Sequence, residues 1–369
     1  MKSVKFLCAS RITGYVKRPE QAQELKDLLN GGLPTWSPDT MELAKEYNSR
    51  YLHWSDLEYR DVGPDSRETL WALMKILRGG TIRTVEFDDL VIGYNITDNA
   101  QRILHDLDMR LSSGLVPSSI LDEKRRLMLT VSSIMEESIA SSQLEGASTT
   151  TKVAKKMLRE NTAPRNKSER MIVNNYNAMR FIKEHSNDKL SPDMIREIHS
   201  LISHDTLDDT KYEGMFRDDN SIAVRDAFTG ETYHDPPDFN RIPDLIKALC
   251  DFANDDSVFV HPIVKGIVLH FVLAYIHPFM DGNGRVSRSL FYWYLMRNGY
   301  ASVEYISISK VMKSRRGKYD NAYLLSETDG NDITYFINYN LDMVFEAADA
   351  FLAMQAAAAE EGVTQCHGS

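Results

Sequence analysis

Cysteines and long apolar runs are scarce in this sequence. Its three cysteines, Cys8, Cys250 and Cys366, are widely spaced and form neither a disulfide framework nor a metal-ligand pattern, which fits a reducing cytoplasm. No stretch reaches the ~20 apolar residues of a membrane-spanning helix. The opening segment MKSVKFLCAS has a lysine within a very short apolar run, unlike a signal peptide. We therefore expect a cytoplasmic protein that does not use a membrane.

Basic residues are also fewer than acidic residues. Lysine and arginine total 43 against 53 acidic residues, which gives a net charge of −10. An acidic chain is repelled by the phosphate backbone, so non-specific nucleic-acid binding is disfavoured and we expect no DNA partner. The apolar content of 43% and the charged content of 26% are ordinary for a globular protein. A length of 369 residues exceeds one usual core and favours two domains.

Composition divides the chain into a mixed segment and a longer helical one. Residues 1–95 combine short helical patterns with β-branched and aromatic stretches, which predicts a small mixed α/β subdomain of unknown role. Residues 96–360 are mainly helical, with extended patterns around a glycine at 221–233 that predict a β-hairpin. Residues 361–369 are predicted to be a tail. The expected fold class is therefore mainly α.

The segment with the most chemistry is HPFMDGNGRVSR, which runs from His277 to Arg288. Histidine can accept a proton near neutral pH, and a lone carboxylate such as Asp281 can hold Mg²⁺ that is otherwise ligated by water and phosphate. Gly282 and Gly284 permit a tight turn with bare N–H groups, and arginine binds phosphate through a planar fork. These residue types together predict a nucleotide site.

The flanks of this segment have apolar helical patterns. Residues 261–276 precede it and residues 286–297 follow it, so we predict a loop between two buried helices. The second helix then points its N-terminus at the loop, where free N–H groups attract an anion. The alternative is an ordinary corner between helices with its arginines on a solvated face.

A second pattern, SSQLEG, lies at 141–146. Taken alone it is an ordinary helix end, with a glycine at the stop position. Ser141 and Glu145 are four residues apart and therefore share one face of the helix predicted at 121–146.

The segment 277–288 resembles, position by position, the HPFx(D/E)GNGRxxR signature of the Fic family. Members of that family typically transfer AMP from ATP to a protein hydroxyl. The resemblance covers about residues 96–352 and implies a Fic-type helical bundle with a β-hairpin flap. SSQLEG fits the (S/T)xxxE(G/N) motif of the subgroup whose inhibitory helix precedes the catalytic core in the same chain.

The resemblance assigns roles to individual residues. It implies that His277 takes the proton from a target Ser, Thr or Tyr hydroxyl and that Asp281 holds Mg²⁺. It implies that Glu145 pairs with Arg288 where the γ-phosphate of ATP would bind, and thereby inhibits the enzyme. Gly282, Asn283, Gly284, Arg285 and Arg288 are assigned to ATP binding, Tyr319 is a candidate adenine wall with core packing as its alternative, and Ser141, Glu145 and Gly146 form the inhibitory motif.

The resemblance also implies partners, and it leaves alternatives open. The flap at Ser221–Tyr233 is expected to pair with an extended segment of the target protein through main-chain hydrogen bonds. Self-modification and homodimer formation stay open, as do removal of AMP and the use of another nucleotide donor. A non-enzymatic regulatory interaction protein is the alternative from another class. The sequence identifies neither the target nor the signal that releases Glu145.

Overall fold

The structure, a computed structural model, describes residues 36–112, 123–225 and 232–366. The first part of the predicted N-terminal subdomain, the tip of the predicted hairpin and the last three residues of the predicted tail lie outside the described residues. Among the described residues, no helix has both the length and the apolar character needed to cross a bilayer.

Helices dominate the described residues, which confirms the mainly α prediction. Short 3₁₀ turns, such as Trp54–Tyr59 and Ala301–Tyr305, and one π-helical turn at Asp108–Ser112 connect or extend them. In chain order the helices are α1 (Pro38–Ser49), α2 (Arg67–Gly79), α3 (Asp98–Leu107), α4 (Glu123–Leu144), α5 (Thr151–Arg159), α6 (Lys167–Glu184), α7 (Pro192–Ser203), α8 (Ile242–Asn254), α9 (Pro262–Ile276), α10 (Asn283–Arg297), α11 (Ile308–Ser314), α12 (Arg316–Thr328) and α13 (Thr334–Cys366).

The strands form two small antiparallel hairpins. Strands β1 (Arg83–Phe87) and β2 (Leu90–Tyr94) pair with Phe87 opposite Leu90. Strands β3 (Val224–Arg225) and β4 (Thr232–His234) pair through Val224 opposite His234, with an irregular register. The second pair confirms the hairpin predicted from the extended patterns around residue 230.

The chain separates into two compact units. Of the described residues, the first contains 36–101 and 320–338, and the second contains 102–112, 123–225, 232–319 and 339–366. The boundary predicted at residue 95 and the role of the N-terminal segment stay predictions. All residues of the two motifs lie in the second unit.

Helices α9 and α10 form the centre of the second unit. Helix α9 is apolar on nearly every face, so it must be enclosed by protein, and its residues from Ile263 to Leu273 are all buried. Gly266 permits close contact with α10, because a Cβ there would lie 2.9 Å from the Phe291 ring. This packing fixes the loop that joins the two helices, residues 277–282, which is the first half of the HPFMDGNGRVSR segment.

Two helix boundaries differ from the sequence-based expectation. Helix α10 begins at Asn283 rather than at residue 286, so three residues assigned to the loop form the first turn of the helix. Gly282 has a left-handed conformation, with φ 86°, and it provides the turn that lets the helix start early. Helix α13 continues to Cys366 and thus includes residues 361–366, which the sequence analysis assigned to a tail.

A buried polar network stabilises the first unit. Arg78 is 3% exposed and donates to the Leu52 carbonyl at 2.6 Å and to the Tyr335 hydroxyl at 2.8 Å. Tyr335 in turn donates to Asp329 at 2.9 Å. Asp332, which accepts from Tyr51 at 2.7 Å, belongs to the same network. A buried cation among such partners is costly to remove, because its acceptors lose their compensation.

We expect Arg78→Met to destabilise the first unit by about 3–5 kcal/mol, since it leaves the Leu52 carbonyl and the Tyr335 hydroxyl without their donor and takes one of two cations, the other being Lys75, from the buried Asp329 carboxylate. Urea unfolding monitored by the fluorescence of Trp54 and Trp71, which lie in this unit's core, would measure the loss. The exposed Arg50, in a 3.9 Å pair with Glu46, supplies the control, and Arg50→Met should cost no more than about 0.5 kcal/mol. Equal effects of the two variants would contradict this account of the network.

Candidate functional site

His277 lies at the C-terminal end of α9 in a strained backbone conformation. Its φ of 49° and ψ of 57° are left-handed, which is uncommon for a residue with a side chain. Its Nδ1 donates to the Ala274 carbonyl at 3.1 Å, so Nε2 is the unprotonated nitrogen of the neutral ring. Burial lowers the pKa of His277 to about 4. The residue is therefore a neutral base at physiological pH.

Asn283 organises the loop after His277. Its side-chain amide accepts from the Phe279 N–H at 2.9 Å and donates to the Phe279 carbonyl at 2.8 Å. Phe279 is fully buried, which anchors the loop by packing as well. These contacts suit a role for Asn283 in orienting the loop, and its assignment to ATP binding stays a prediction.

Asp281 is the exposed acidic group of the loop. Its side chain is 51% exposed, and Oδ1 accepts from the Gly282 N–H at 2.6 Å. Oδ2 lies 3.7 Å from Nη2 of Arg285. A single accessible carboxylate suits Mg²⁺, which keeps most of its ligands as water and phosphate oxygens. The residue thus fits the role of metal ligand.

The start of α10 has the features of an anion site. No side chain caps this helix, so the N–H groups of its first turn point toward the loop. Arg285 is fully buried, and its Nη1 donates to the Ile202 carbonyl at 3.3 Å. Its Nε and Nη2 have no hydrogen-bond partner among the described residues. Buried guanidinium donors without acceptors are costly and indicate a site for an anion such as phosphate.

Arg288, one turn further along α10, contacts Ser141 and Glu145 of the SSQLEG pattern. Its Nε donates to Ser141 Oγ at 2.9 Å, and its Nη2 donates to the Ser141 carbonyl at 3.0 Å. The same Nη2 forms an ion pair with Glu145 Oε1 at 2.8 Å. Burial would raise the pKa of Glu145, but the charges of Arg288 and Arg285 lower it overall. Glu145 is therefore ionised in this contact.

The Glu145 carboxylate also packs directly on the backbone of α10. A Cβ built on Gly284 would overlap Glu145 Oε1 and would lie 3.1 Å from Nη1 of Arg288. Gly146 ends α4 with φ 94°, which turns the chain away immediately after the glutamate. The sequence-predicted residues Ser141 and Glu145 are thus brought to the N-terminal part of α10, and Gly146 follows them at the turn after α4.

Glu137, which the sequence analysis did not single out, holds α4 in place two turns before Glu145. It is 2% exposed and accepts hydrogen bonds from the Tyr292 hydroxyl at 2.8 Å and from the Ser309 N–H at 2.9 Å. The hydroxyl of Ser309 also donates to it, as does Ser307 Oγ at 3.0 Å. The residue spacing around Glu137 does not predict these contacts, because the donors come from α10 and from the start of α11.

His199 is a second residue that the sequence analysis missed. Its ring stacks on Phe279 with 3.7 Å between ring centroids. Nδ1 accepts from the Gly214 N–H at 3.0 Å, so Nε2 must be the nitrogen that donates to the Asp281 carbonyl at 2.9 Å. Burial lowers the pKa of His199 to about 4, which keeps this tautomer neutral. His199 therefore positions the main chain of Asp281.

Tyr319 is buried next to Arg288 and does not line an open surface. It is 7% exposed, and its hydroxyl lies 2.9 Å from Nε2 of His270, which is itself fully buried on α9. These contacts agree with core packing, the alternative considered for Tyr319. A role at the adenine stays a prediction.

We expect the His277 ring to stay neutral between pH 7 and pH 5, because its pKa is lowered to about 4. Protonation would have to occur in a buried environment that disfavours the charged form. Ring ¹⁵N chemical shifts measured over this range, with His277→Ala to assign the signal, would test it. A titration midpoint near the ordinary histidine value of about 6.5 would contradict the inferred burial.

Comparison with known proteins identifies the segment around this site. Residues 189–295 match the family model described as Fic/DOC family. Over 120 residues, or 32% of this chain, the sequence is 33% identical to protein adenylyltransferase Fic of Drosophila willistoni and 34% identical to that of Aedes aegypti. The match spans only 22% of the length of each of these relatives. The chain thus contains a Fic domain.

The fold is shared more widely than the sequence. The structure of Fic-1 from C. elegans superposes with a TM-score of 0.58 at 19% identity, covering 96% of this chain and 98% of that chain. At this identity the likeness shows the fold alone. The expected Fic-type helical fold is therefore confirmed.

Proposed function

We propose that the Fic domain of this chain transfers AMP from ATP to a Ser, Thr or Tyr hydroxyl of a target protein. The observation that carries the proposal is one loop that joins a neutral histidine to an anion site. His277 supplies an unprotonated Nε2, and the first turn of α10 supplies uncapped N–H groups beside the unpartnered donors of Arg285. Similarity to proteins named protein adenylyltransferase supports ATP as the donor.

In this mechanism His277 acts as the general base. Its Nε2 takes the proton as the target hydroxyl oxygen attacks the α-phosphorus of ATP. A new P–O bond forms to the target, the bond to the β-phosphate oxygen breaks, and pyrophosphate leaves. The Nδ1–H bond to Ala274 holds the ring in the tautomer that this step requires.

The remaining residues bind and neutralise the triphosphate. The N–H groups of Asn283, Gly284 and Arg285 face the phosphates, and Arg285 binds the β-phosphate with its free donors. Asp281 would hold Mg²⁺ against the phosphates, and the ion would neutralise part of their charge. Phosphoryl-type transfer depends mostly on such positioning and charge compensation.

We infer further that Glu145 inhibits the resting protein. Arg288 is the donor assigned to the γ-phosphate, and the Glu145 carboxylate already occupies it at 2.8 Å. ATP would have to displace an ionised group of its own charge sign, which also lies against Gly284. The triphosphate then cannot settle with its α-phosphate in line with the attacking hydroxyl.

In the Glu145→Gly background, which removes the inhibitory carboxylate, we expect His277→Ala to lower AMP transfer by about 10²–10⁴-fold while ATP binding changes little, because only proton removal is lost. Incubation with α-labelled ATP and Mg²⁺ in cell extract measures transfer, and calorimetry measures binding. His185 lies on the same chain away from the motif and supplies the control His185→Ala. Near-normal labelling by His277→Ala would remove this residue from the mechanism.

We expect Glu145→Gly to label its targets, or itself, about 10-fold or more above wild type, which corresponds to ~1.4 kcal/mol of relieved competition. Gln143→Gly is the matched control, because it loosens the same last turn of α4 but leaves the carboxylate on Arg288. Adding Arg288→Ala to Glu145→Gly should abolish the gain, since the γ-phosphate then lacks its donor. Labelling by Glu145→Gly no higher than by Gln143→Gly would end the autoinhibition proposal.

A further inference from the structure

Arg217 is a buried cation whose acceptors are almost all main-chain carbonyls. It is 3% exposed, and its Nε donates to the His277 carbonyl at 3.0 Å. Nη1 donates to the Asp219 carbonyl at 2.8 Å, and Nη2 donates to the Pro237 carbonyl. The Arg217 main-chain N–H donates to the Pro278 carbonyl at 2.8 Å. One residue therefore ties three separate stretches of chain together.

Two of these stretches are the ends of the β3–β4 hairpin. Residues 219–220 lead into β3, and residues 237–239 follow β4. Asn220 joins the two ends directly, because its Oδ1 accepts from Nη1 of Arg217 at 3.1 Å and from the Phe239 N–H at 2.9 Å. Its Nδ2 donates to Asp238 at 2.7 Å. The base of the hairpin is thus a single hydrogen-bonded unit built around the guanidinium.

The third stretch is the backbone of the histidine assigned as general base. A second link runs from β4, where Nε2 of His234 lies 2.7 Å from the Tyr275 carbonyl on α9. The left-handed conformation of His277 turns its carbonyl toward Arg217. The strained residue and the hairpin base are consequently fixed by the same group.

The choice of arginine follows from this geometry. Burial lowers the pKa of Arg217, and Asp219 and Asp238 only partly offset that cost, so the cation is not retained for a strong ion pair. Its planar group carries five donors in fixed directions, which allows it to bind acceptors on several sides. A lysine has its three donors on one nitrogen and cannot span the same acceptors.

We propose that Arg217 is a positioning residue that sets the β3–β4 hairpin at a fixed distance from His277. The proposal rests on the function proposed above, in which the hairpin pairs with an extended target segment. The hairpin determines the position of the paired target segment, whereas α9 determines the position of His277, which accepts the proton. Arg217 connects the two, so its loss should misalign the target hydroxyl without disturbing the phosphates, which bind at α10.

The test compares Arg217→Lys with Arg297→Lys in the Glu145→Gly background. Arg297 also donates to main-chain carbonyls, those of Asn187 and Asp188, but at the far end of α10. Two measurements read the site: binding of a non-hydrolysable ATP analogue with Mg²⁺, and transfer of label from α-labelled ATP to proteins in extract. Hydrogen exchange of the amides at 219–225 and 232–239 measures the local stability of the hairpin and does not depend on AMP transfer.

We expect Arg217→Lys to speed exchange at the hairpin amides and to lower label transfer, each about tenfold or more, as loss of a charge-assisted hydrogen bond would. Binding of the ATP analogue should stay within about twofold, and Arg297→Lys should change none of the three. Exchange that stays at the parent rate would overturn the proposal. So would label transfer that stays unchanged, or analogue binding that falls in parallel with transfer, since the latter indicates a general structural role.

A second variant covers failure to fold. If Arg217→Lys does not yield folded protein, Asn220→Ala removes the partner that joins the two ends of the hairpin and leaves the Arg217–His277 bond in place. It should speed exchange at the same amides, and unchanged exchange would overturn the proposal. If the Glu145→Gly parent labels nothing, the proposed function fails, whereas the exchange measurement still decides whether Arg217 positions the hairpin.

Discussion

The contact between Arg288 and Glu145 is the constraint on which the arrangement of this site depends. It joins residues 143 positions apart and buries the guanidinium to 3% side-chain exposure. A buried arginine that lost its carboxylate would be uncompensated, which is strongly unfavourable unless another anion replaces it. A phosphate group is such an anion and binds the same planar fork. In the proposed autoinhibition, the ion pair would define both the resting state and the kind of ligand that can end it.

The contacts of α4 would confine the replacement of Glu145 by a phosphate to the end of this helix. Glu137 accepts four hydrogen bonds from α10 and from the start of α11, and these hold the middle of α4 in place. Helix α4 therefore need not move as a whole if Glu145 leaves Arg288. Gly146 follows immediately, with a left-handed backbone that ends the helix. Glu145 thus lies in the turn that directly follows an otherwise anchored helix, where fraying is least costly. Release at this turn would open the N-terminus of α10 and leave the core of the second unit unchanged.

Residue patterns in the sequence predicted the helices and the hairpin, since each depends on local periodicity, whereas the meeting of Glu145 with Arg288 was implied only by the family resemblance. The early start of α10 was missed because Gly282 was assigned to a loop. In the structure its left-handed backbone provides the turn from which the helix begins. Glu137, His199 and Arg217 were missed for another reason. Their partners are largely main-chain groups and hydroxyls on other elements, and main-chain donors and acceptors leave no trace in the residue types. The roles assigned to the motif residues in nucleotide binding remain predictions.

The central claim is that Glu145 competes with one phosphate of the nucleotide and with no other part of it. Calorimetric titration of wild type and Glu145→Gly with ATP and with AMP, in the presence of Mg²⁺, tests this most directly. The account predicts that the substitution raises affinity for ATP by about tenfold or more and leaves affinity for AMP unchanged, because AMP has no group that reaches Arg288. An equal gain for both nucleotides, or no gain for ATP, would contradict it.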